Sequence, residues 1–469
     1  MSEDLLELTT RKLLEKFGAG NHKPGSGSAA AFQGMISAQL LITVIELTNG
    51  LKHRHIYSKD LPVLLKMQQE ISDRIYPELE KLFLEDSVQF GKTIESRSKR
   101  DRQRDLATKQ KLALSALDEL KVSIDIPSVI ADLCIELSDI GAFVFSNGFK
   151  AARGDSQVAL SGAVSAVTGC LSIVRLNLLS FGSTEYNYIE RINVKCHALN
   201  DELERLNRIV DESIELLALL VDSKTAFYQQ LDQLVKGVKS KSIITNADIE
   251  EFASGFQNLV WVNKESVWKL NMPTQPSDIL NPSDILQKVL GYGYDDTKEL
   301  EQAYVDGRLI DTAGIIDQEN KMVWISSHIT PQVENFTAAH ELAHALLHDQ
   351  PVMHRDIPLD GSKKSKAPVE YQADQFAAAF LMPRKRVTNA FENLFGSGIF
   401  QIDANTTFKL TGSTVTDLHK ECKDIHGLCS RLAEAESYDG EFFTSLADQF
   451  NVSRAAMAYR LEELGLVKF

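Results

Sequence analysis

The chain has 469 residues, too many for one typical core, so length alone predicts two to four domains. Its 43% hydrophobic and 25% charged residues suit a globular protein and exclude a low-complexity chain. The net charge of -15 argues against a general binder of nucleic acid or anionic membrane, because phosphate contacts need clustered Lys and Arg. The basic stretch 97–111 is interrupted by Asp101 and Asp105 and reads as a solvated surface.

From Leu5 to about Ala226 the apolar residues recur every three or four positions, as in Leu61, Leu64, Leu65 and Met67, which predicts helix after helix. The start "MSEDLLELTTRKLL" lacks the basic-then-apolar order of a signal peptide. The apolar run from Met35, "MISAQLLITVIEL", reads as too short and too polar to span a bilayer. Five scattered cysteines, at 134, 170, 196, 422 and 429, point to a reduced cytoplasmic protein. Cys422, His426 and Cys429 lack a fourth ligand at recognisable spacing for a metal site.

Within this half, "KPGSGSAAAF" combines Pro24, Gly25, Gly27 and Ser28 in a small-residue turn that opens a helix. Such a turn lets a ligand approach, and backbone N–H groups there favour an anion; a tight turn between helices is the plainer alternative. Asp155, in "NGFKAARGDSQVALSGAVSA", sits at a cap-like position before a second run of small residues. Together with "EDSVQF" and "VRLNLL", these stretches resemble the cyclodeaminase/cyclohydrolase family over about Leu5 to Leu216. The likeness implies an all-helical domain that handles formimino- or methenyl-tetrahydrofolate. Ser26, Gln89 and Ile173 depart from the family pattern, as an anion- or folate-sensing module or a dimerising one would.

The texture changes between about 235 and 281, where "NMPTQPSDILNPSD" carries Pro273, Pro276 and Pro282. Residues 221–280 are therefore expected as a connector between a domain at 1–220 and another at 281–469. A strand is predicted over Met322 to Ile329 and a helix over "FTAAHELAHALLH". On that helix His340 and His344 share a face and Glu341 lies beside them, a spacing that suits a zinc ion. Glu370, on a following helix "VEYQADQFAAAFLMP", could be the third ligand, and Asp374 one turn on could fix a histidine tautomer. His348 lies two turns from His340, about 12 Å along the axis, too far to share the ion, and is expected to be structural or capping. His354 is a further histidine that could approach the site.

Three motifs in order, "FTAAHELAHALLH", "EYQADQFAAAFLMP" and "LADQFNVSRAAMAYRLEELGLV", resemble the ImmA/IrrE-type metallopeptidases over about Pro282 to Phe469. The resemblance implies a zinc-dependent peptidase with His340, His344 and Glu370 as Zn2+ ligands and Glu341 as general base. It also implies regulated cleavage of a protein substrate, such as a helix-turn-helix repressor in stress, mobile-element or phage-defence circuits. The expected fold class is a multidomain chain: an all-α bundle followed by an α+β zincin-like domain, assembled as a homodimer or higher oligomer. The stretch from 384 to 439 reads as an insertion that could cover or reshape the substrate groove. The terminal segment has helix-turn-helix spacing with few basic residues, which argues against direct DNA binding. A folate one-carbon enzyme with an appended regulatory domain is the alternative. In the peptidase reading, the strand at Met322 to Ile329 would take an extended substrate along its edge.

Overall fold

The computed structural model describes residues 5–20, 23–268, 272–300, 303–305, 308–310, 312–349, 354–356 and 367–469, with backbone alone at 303–305, 308–310 and 354–356. It divides into two units, Met1–Leu220 and Val221–Phe469.

The first unit is all helix: α1 (Thr10–Phe17), α2 (Ser26–Asn49), α3 (Leu61–Glu70), α4 (Tyr76–Arg102), α5 (Leu106–Asn147), α6 (Arg153–Leu178) and the first part of α7 (Tyr186–Lys239). A π-helical turn, Ile71–Ile75, joins α3 to α4. Asp105 starts α5 by accepting the Thr108 N–H at 2.8 Å, a side-chain cap that satisfies one of the helix's orphan donors. Ala31, Ala38, Leu41, Val44 and Ile45 of α2 meet Cys134 and Leu137 of α5 and Ala159, Ala163 and Cys170 of α6 in one buried core. The run from Met35 belongs to a 24-residue helix that is long and apolar enough to cross a membrane, contrary to the expectation from its length, as is Lys150–Leu178. Small residues on α2 and α6 let the two helices pack closely, and about half of each is buried inside the bundle. All five cysteines are free and buried.

The second unit begins with the end of α7, then α8 (Asn246–Val262) and the single turns α9 (Lys264–Val267) and α10 (Pro282–Asp284). There follow β1 (Gly293–Asp295), β2 (Ala303–Val305), β3 (Arg308–Ile310), β4 (Gly314–Asp317) and β5 (Met322–Ile325). The next elements are α11 (Pro331–Leu347), β6 (His354–Asp356) and α12 (Pro368–Leu381). Beyond them lie α13 (Arg384–Phe395), β7 (Phe400–Gln401), α14 (Ala404–Thr411), α15 (Val415–Cys422) and α16 (Ile425–Ala433). The chain continues through β8 (Ser437–Tyr438), β9 (Glu441–Phe442), α17 (Leu446–Gln449), α18 (Arg454–Glu463) and β10 (Val467–Lys468). The main sheet has the order β1-β5-β4-β6, with β1 parallel to β5 and the other pairs antiparallel. One core joins the sheet to α11, α12 and the later helices.

Three expectations need correction. Residues 221–280 are not a bare connector: Phe227, Leu231, Phe252 and Phe256 are buried in the core of the second unit, where Phe252 and Phe256 meet Phe376 of α12. Ile249, Phe252, Ala253, Phe256 and Val260 of α8 all face that core, so the prolines that follow lie beyond a packed helix. The stretch 384–439 is no separate appendage either, because Val387, Phe391, Phe400, Leu418, Leu428 and Leu432 are all buried in the same core. In the terminal segment the first helix of the expected helix-turn-helix is only the single turn α17, while Ser453 caps α18 through the Ala456 N–H.

Candidate metal centre

Helix α11 starts cleanly, with the Thr330 hydroxyl accepting the Val333 N–H and Pro331 in the first turn, where a missing N–H costs nothing. The helix lies against β4 and β5, which buries His340, Glu341 and His344 almost completely. Helix α12, also opened by a proline, packs on α11 and brings Glu370 and Asp374 to the same face.

His340 Nε2 lies 3.0 Å from His344 Nε2 and 3.3 Å from Glu370 Oε2, and His344 Nε2 lies 3.7 Å from Glu370 Oε1. These three residues form a group that could hold a metal ion, with their donor atoms within 4.8 Å of one another. The donor set fits zinc: two imidazole nitrogens and a carboxylate are its usual ligands, and donors on a tetrahedral ion with bonds near 2 Å stand about 3.3 Å apart. The other nitrogen of His340, Nδ1, lies 3.0 Å from Asp374 Oδ1, which fixes its proton on Nδ1 and turns the Nε2 lone pair toward the group. The sequence suggested Asp374 as a partner for either histidine; the fold gives it to His340.

Glu341 is fully buried beside this group and faces the backbone of β4. Gly314 is required there, since a Cβ at that position would sit 2.7 Å from Glu341 Oε1 and 2.6 Å from Thr337 Cγ2. His348, expected to be structural or capping, ends α11 and also touches the site: its Nδ1 is 2.9 Å from His344 Nδ1, and its Nε2 is 3.2 Å from Gln372 Oε1. Burial holds its imidazole below the ordinary histidine range, while Gln372 acts in the opposite sense. The Gln318 side chain, just past β4, donates to the carbonyls of His344 and His348 at 2.7 and 2.9 Å and anchors the end of the helix. The side chain of His354 lies outside the described residues. The expected substrate edge needs correction too: β5 is paired on both sides, with β1 and with β4, so it has no open edge for a peptide.

In the first unit the turn at Pro24, Gly25, Gly27 and Ser28 does open a helix, but another part of the chain already occupies that opening. Asp86, on α4, accepts the Ser28 N–H at 2.6 Å and the Ser28 hydroxyl at 2.9 Å. Its carboxylate lies so close to Gly27 that a Cβ there would come within 2.2 Å of Oδ1. Burial raises the Asp86 carboxyl above the usual carboxylate range, against the pull of the two Ser28 hydrogen bonds. Asp155 stands exposed in the first turn of α6. A run of buried polar residues on α4 continues from Asp86: Gln89 bonds Glu119 at 2.6 Å and Thr93 meets Ser123 at 3.0 Å.

Comparison with known families gives each unit a class. Residues 9–198 match the family model described as formiminotransferase-cyclodeaminase, and residues 296–397 match a peptidase-family model described as IrrE N-terminal-like domain. The chain therefore joins a cyclodeaminase-type helical domain to an IrrE-like domain, and the second match spans β2 through α13, with every residue of the candidate centre inside it. The terminal helices, which the sequence resemblance included, lie beyond that match. A crystal structure of formiminotetrahydrofolate cyclodeaminase from Thermotoga maritima is similar at 15% identity and a TM-score of 0.39, covering 46% of this chain and 99% of that one. No curated protein matches the chain.

Proposed function

We propose that the chain is a zinc-dependent endopeptidase that cleaves a protein partner, with the helical unit serving as a ligand sensor or an oligomerisation module. The observation that carries this reading is the convergence of His340, His344 and Glu370, with Glu341 buried beside them. A bound zinc would supply a Lewis acid for the scissile carbonyl and lower the pKa of water toward neutrality. His340, His344 and Glu370 would hold the ion, and Asp374 keeps His340 in the tautomer that presents Nε2. The Glu341 carboxylate takes a proton from the attacking water and passes it to the leaving amine.

The partner is a protein, with a transcriptional repressor as the candidate class. The terminal helices support packing over DNA reading: Arg460 is buried among Met382 O, Glu250 and Glu463, and Arg454 bonds Ser430 and pairs with Glu434. A second reading, a folate one-carbon enzyme working through the first unit, is favoured by the match over residues 9–198. The filled opening at Ser28 counts against an anionic ligand at that turn.

The test is metal analysis of the purified full-length chain, with a comparison of new protein N-termini in cells making the parent or Glu341→Gln. One zinc per chain in both proteins, and cleavages present with the parent and lost with the variant, are expected. Absence of zinc, or an identical set of cleavages, would remove the peptidase reading. A folate titration of the same protein distinguishes the second.

A further inference from the structure

The two histidines of the candidate centre are supported in different ways, and the support for His344 has not been assigned a role. Resting on the peptidase reading, we propose that His348 and Gln372 are positioning residues, forming a neutral relay that holds the His344 ring with Nε2 toward the metal position.

The direction of the relay follows from donor and acceptor chemistry. His344 Nε2 faces His340 Nε2 and Glu370, so when its lone pair serves as a ligand the ring proton resides on Nδ1. That Nδ1–H lies 2.9 Å from His348 Nδ1, which must accept it. A neutral His348 that accepts at Nδ1 carries its own proton on Nε2, and Nε2 is 3.2 Å from Gln372 Oε1, an oxygen that can only accept. Every link thus has one donor and one acceptor, and the relay ends on an amide carbonyl. The rings of His344 and His348 stand 4.9 Å apart and tilted by 55° to one another.

The relay is also anchored. His348 ends α11, its N–H bonds the His344 carbonyl at 3.3 Å, and Gln318 holds its carbonyl. Gln372 lies on α12 between Glu370 and Asp374, so one helix supplies a ligand and the outer partners of both histidines. The result is an unequal pair. His340 leans on a carboxylate, whereas His344 leans on a neutral imidazole and amide.

The test uses the full-length protein and measures zinc affinity by competition with a chelator, alongside thermal melting with the metal removed. His348→Ala and Gln372→Ala should each weaken zinc binding by about 10–100-fold, the usual effect of losing an outer partner of a metal-bound histidine. Because the two act in series, the double variant should bind zinc no more weakly than His348→Ala alone. Gln372→Glu, which keeps an acceptor oxygen at the end of the relay, should bind zinc as tightly as the parent or tighter. A purely structural role would lower the metal-free melting temperature, leave zinc affinity at the parent value, and give additive effects in the double variant; that pattern overturns the proposal. Should His348→Ala fail to fold, the half-buried Gln372 position carries the test alone, and unchanged affinity there overturns it. A parent protein that binds no zinc would instead overturn the peptidase reading, and the relay with it.

Discussion

Replacing Gly314 with alanine tests whether the sheet sets the position of Glu341. The added methyl would stand 2.6 Å from Thr337 Cγ2 and 2.7 Å from Glu341 Oε1, where ordinary contact begins at 3.4 Å. Glu341 or the strand must therefore retreat by about 0.7 Å, the difference between 3.4 and 2.7. Thr337 and Glu341 are both buried on α11, and Gly314 is held in register between Ile325 and Asp356, so no neighbour yields freely. Overpacking of this kind costs about 1–3 kcal/mol. A unit of this size loses about 2–4 °C of melting temperature per kcal/mol. The larger effect should be on catalysis, since a misplacement approaching 1 Å lowers rates by up to about 100-fold. Zinc content should stay at the parent level, because Glu341 is not among the proposed ligands. Tryptophan fluorescence is the natural melting assay, as Trp261, Trp268 and Trp324 all lie in the second unit. Turnover would be measured on a substrate found by the comparison of N-termini. A Gly314→Ala protein that melts and cleaves like the parent would refute the argument that this close approach aligns the carboxylate.

Asp374→Asn should weaken zinc binding by about 10–100-fold without abolishing it, since the amide oxygen still accepts from His340 Nδ1 but carries no charge; chelator competition measures it, and full loss would mean Asp374 is itself a ligand. Asp86→Ala should destabilise the first unit by about 1–3 kcal/mol, because the Ser28 N–H and hydroxyl lose their buried acceptor. Asp86→Asn should cost less, and it should alter the pH dependence in a defined sense. With its carboxyl raised in the folded state, the native protein binds more protons than the unfolded one between the ordinary carboxylate range and the raised value. This residue's contribution to stability therefore falls as pH rises through that window, and urea titrations followed by circular dichroism should show that slope in the parent and lose it in Asp86→Asn.

The local features of the centre were legible in the sequence because they depend on helical spacing. His340, Glu341 and His344 fall on neighbouring faces of any helix over 331–347, and Glu370 and Asp374 on one face of the next. What spacing could not convey is which partner each side chain meets. His348 lies two turns from His340, yet four residues from His344 is itself a contact spacing, and the two rings do meet. The order of strands is not local at all, so the sequence of β5 reads as a strand without revealing that both of its edges are taken. The partner of the Ser28 turn is hidden for the same reason: it is Asp86, 58 positions away. The stretch 384–439 looked additional only against a family pattern, whereas its regularly spaced Val387, Phe391 and Phe395 announce a packed helix.

The buried guanidinium of Arg460 imposes an order on the changes that lineages of this protein can tolerate. It draws on Glu250, 210 positions earlier, on the Met382 carbonyl where α12 ends, and on Glu463 one turn on. Loss of Glu250 while the arginine remains leaves the buried cation with Glu463 and the Met382 carbonyl but takes the carboxylate from its Nη2, which is destabilising, whereas Glu250 is exposed enough to be rehydrated if the arginine goes first. Exchange of both for apolar residues of similar volume can be neutral or favourable. Substitutions at the two positions are thus epistatic, and the passable route replaces the cation before its carboxylate.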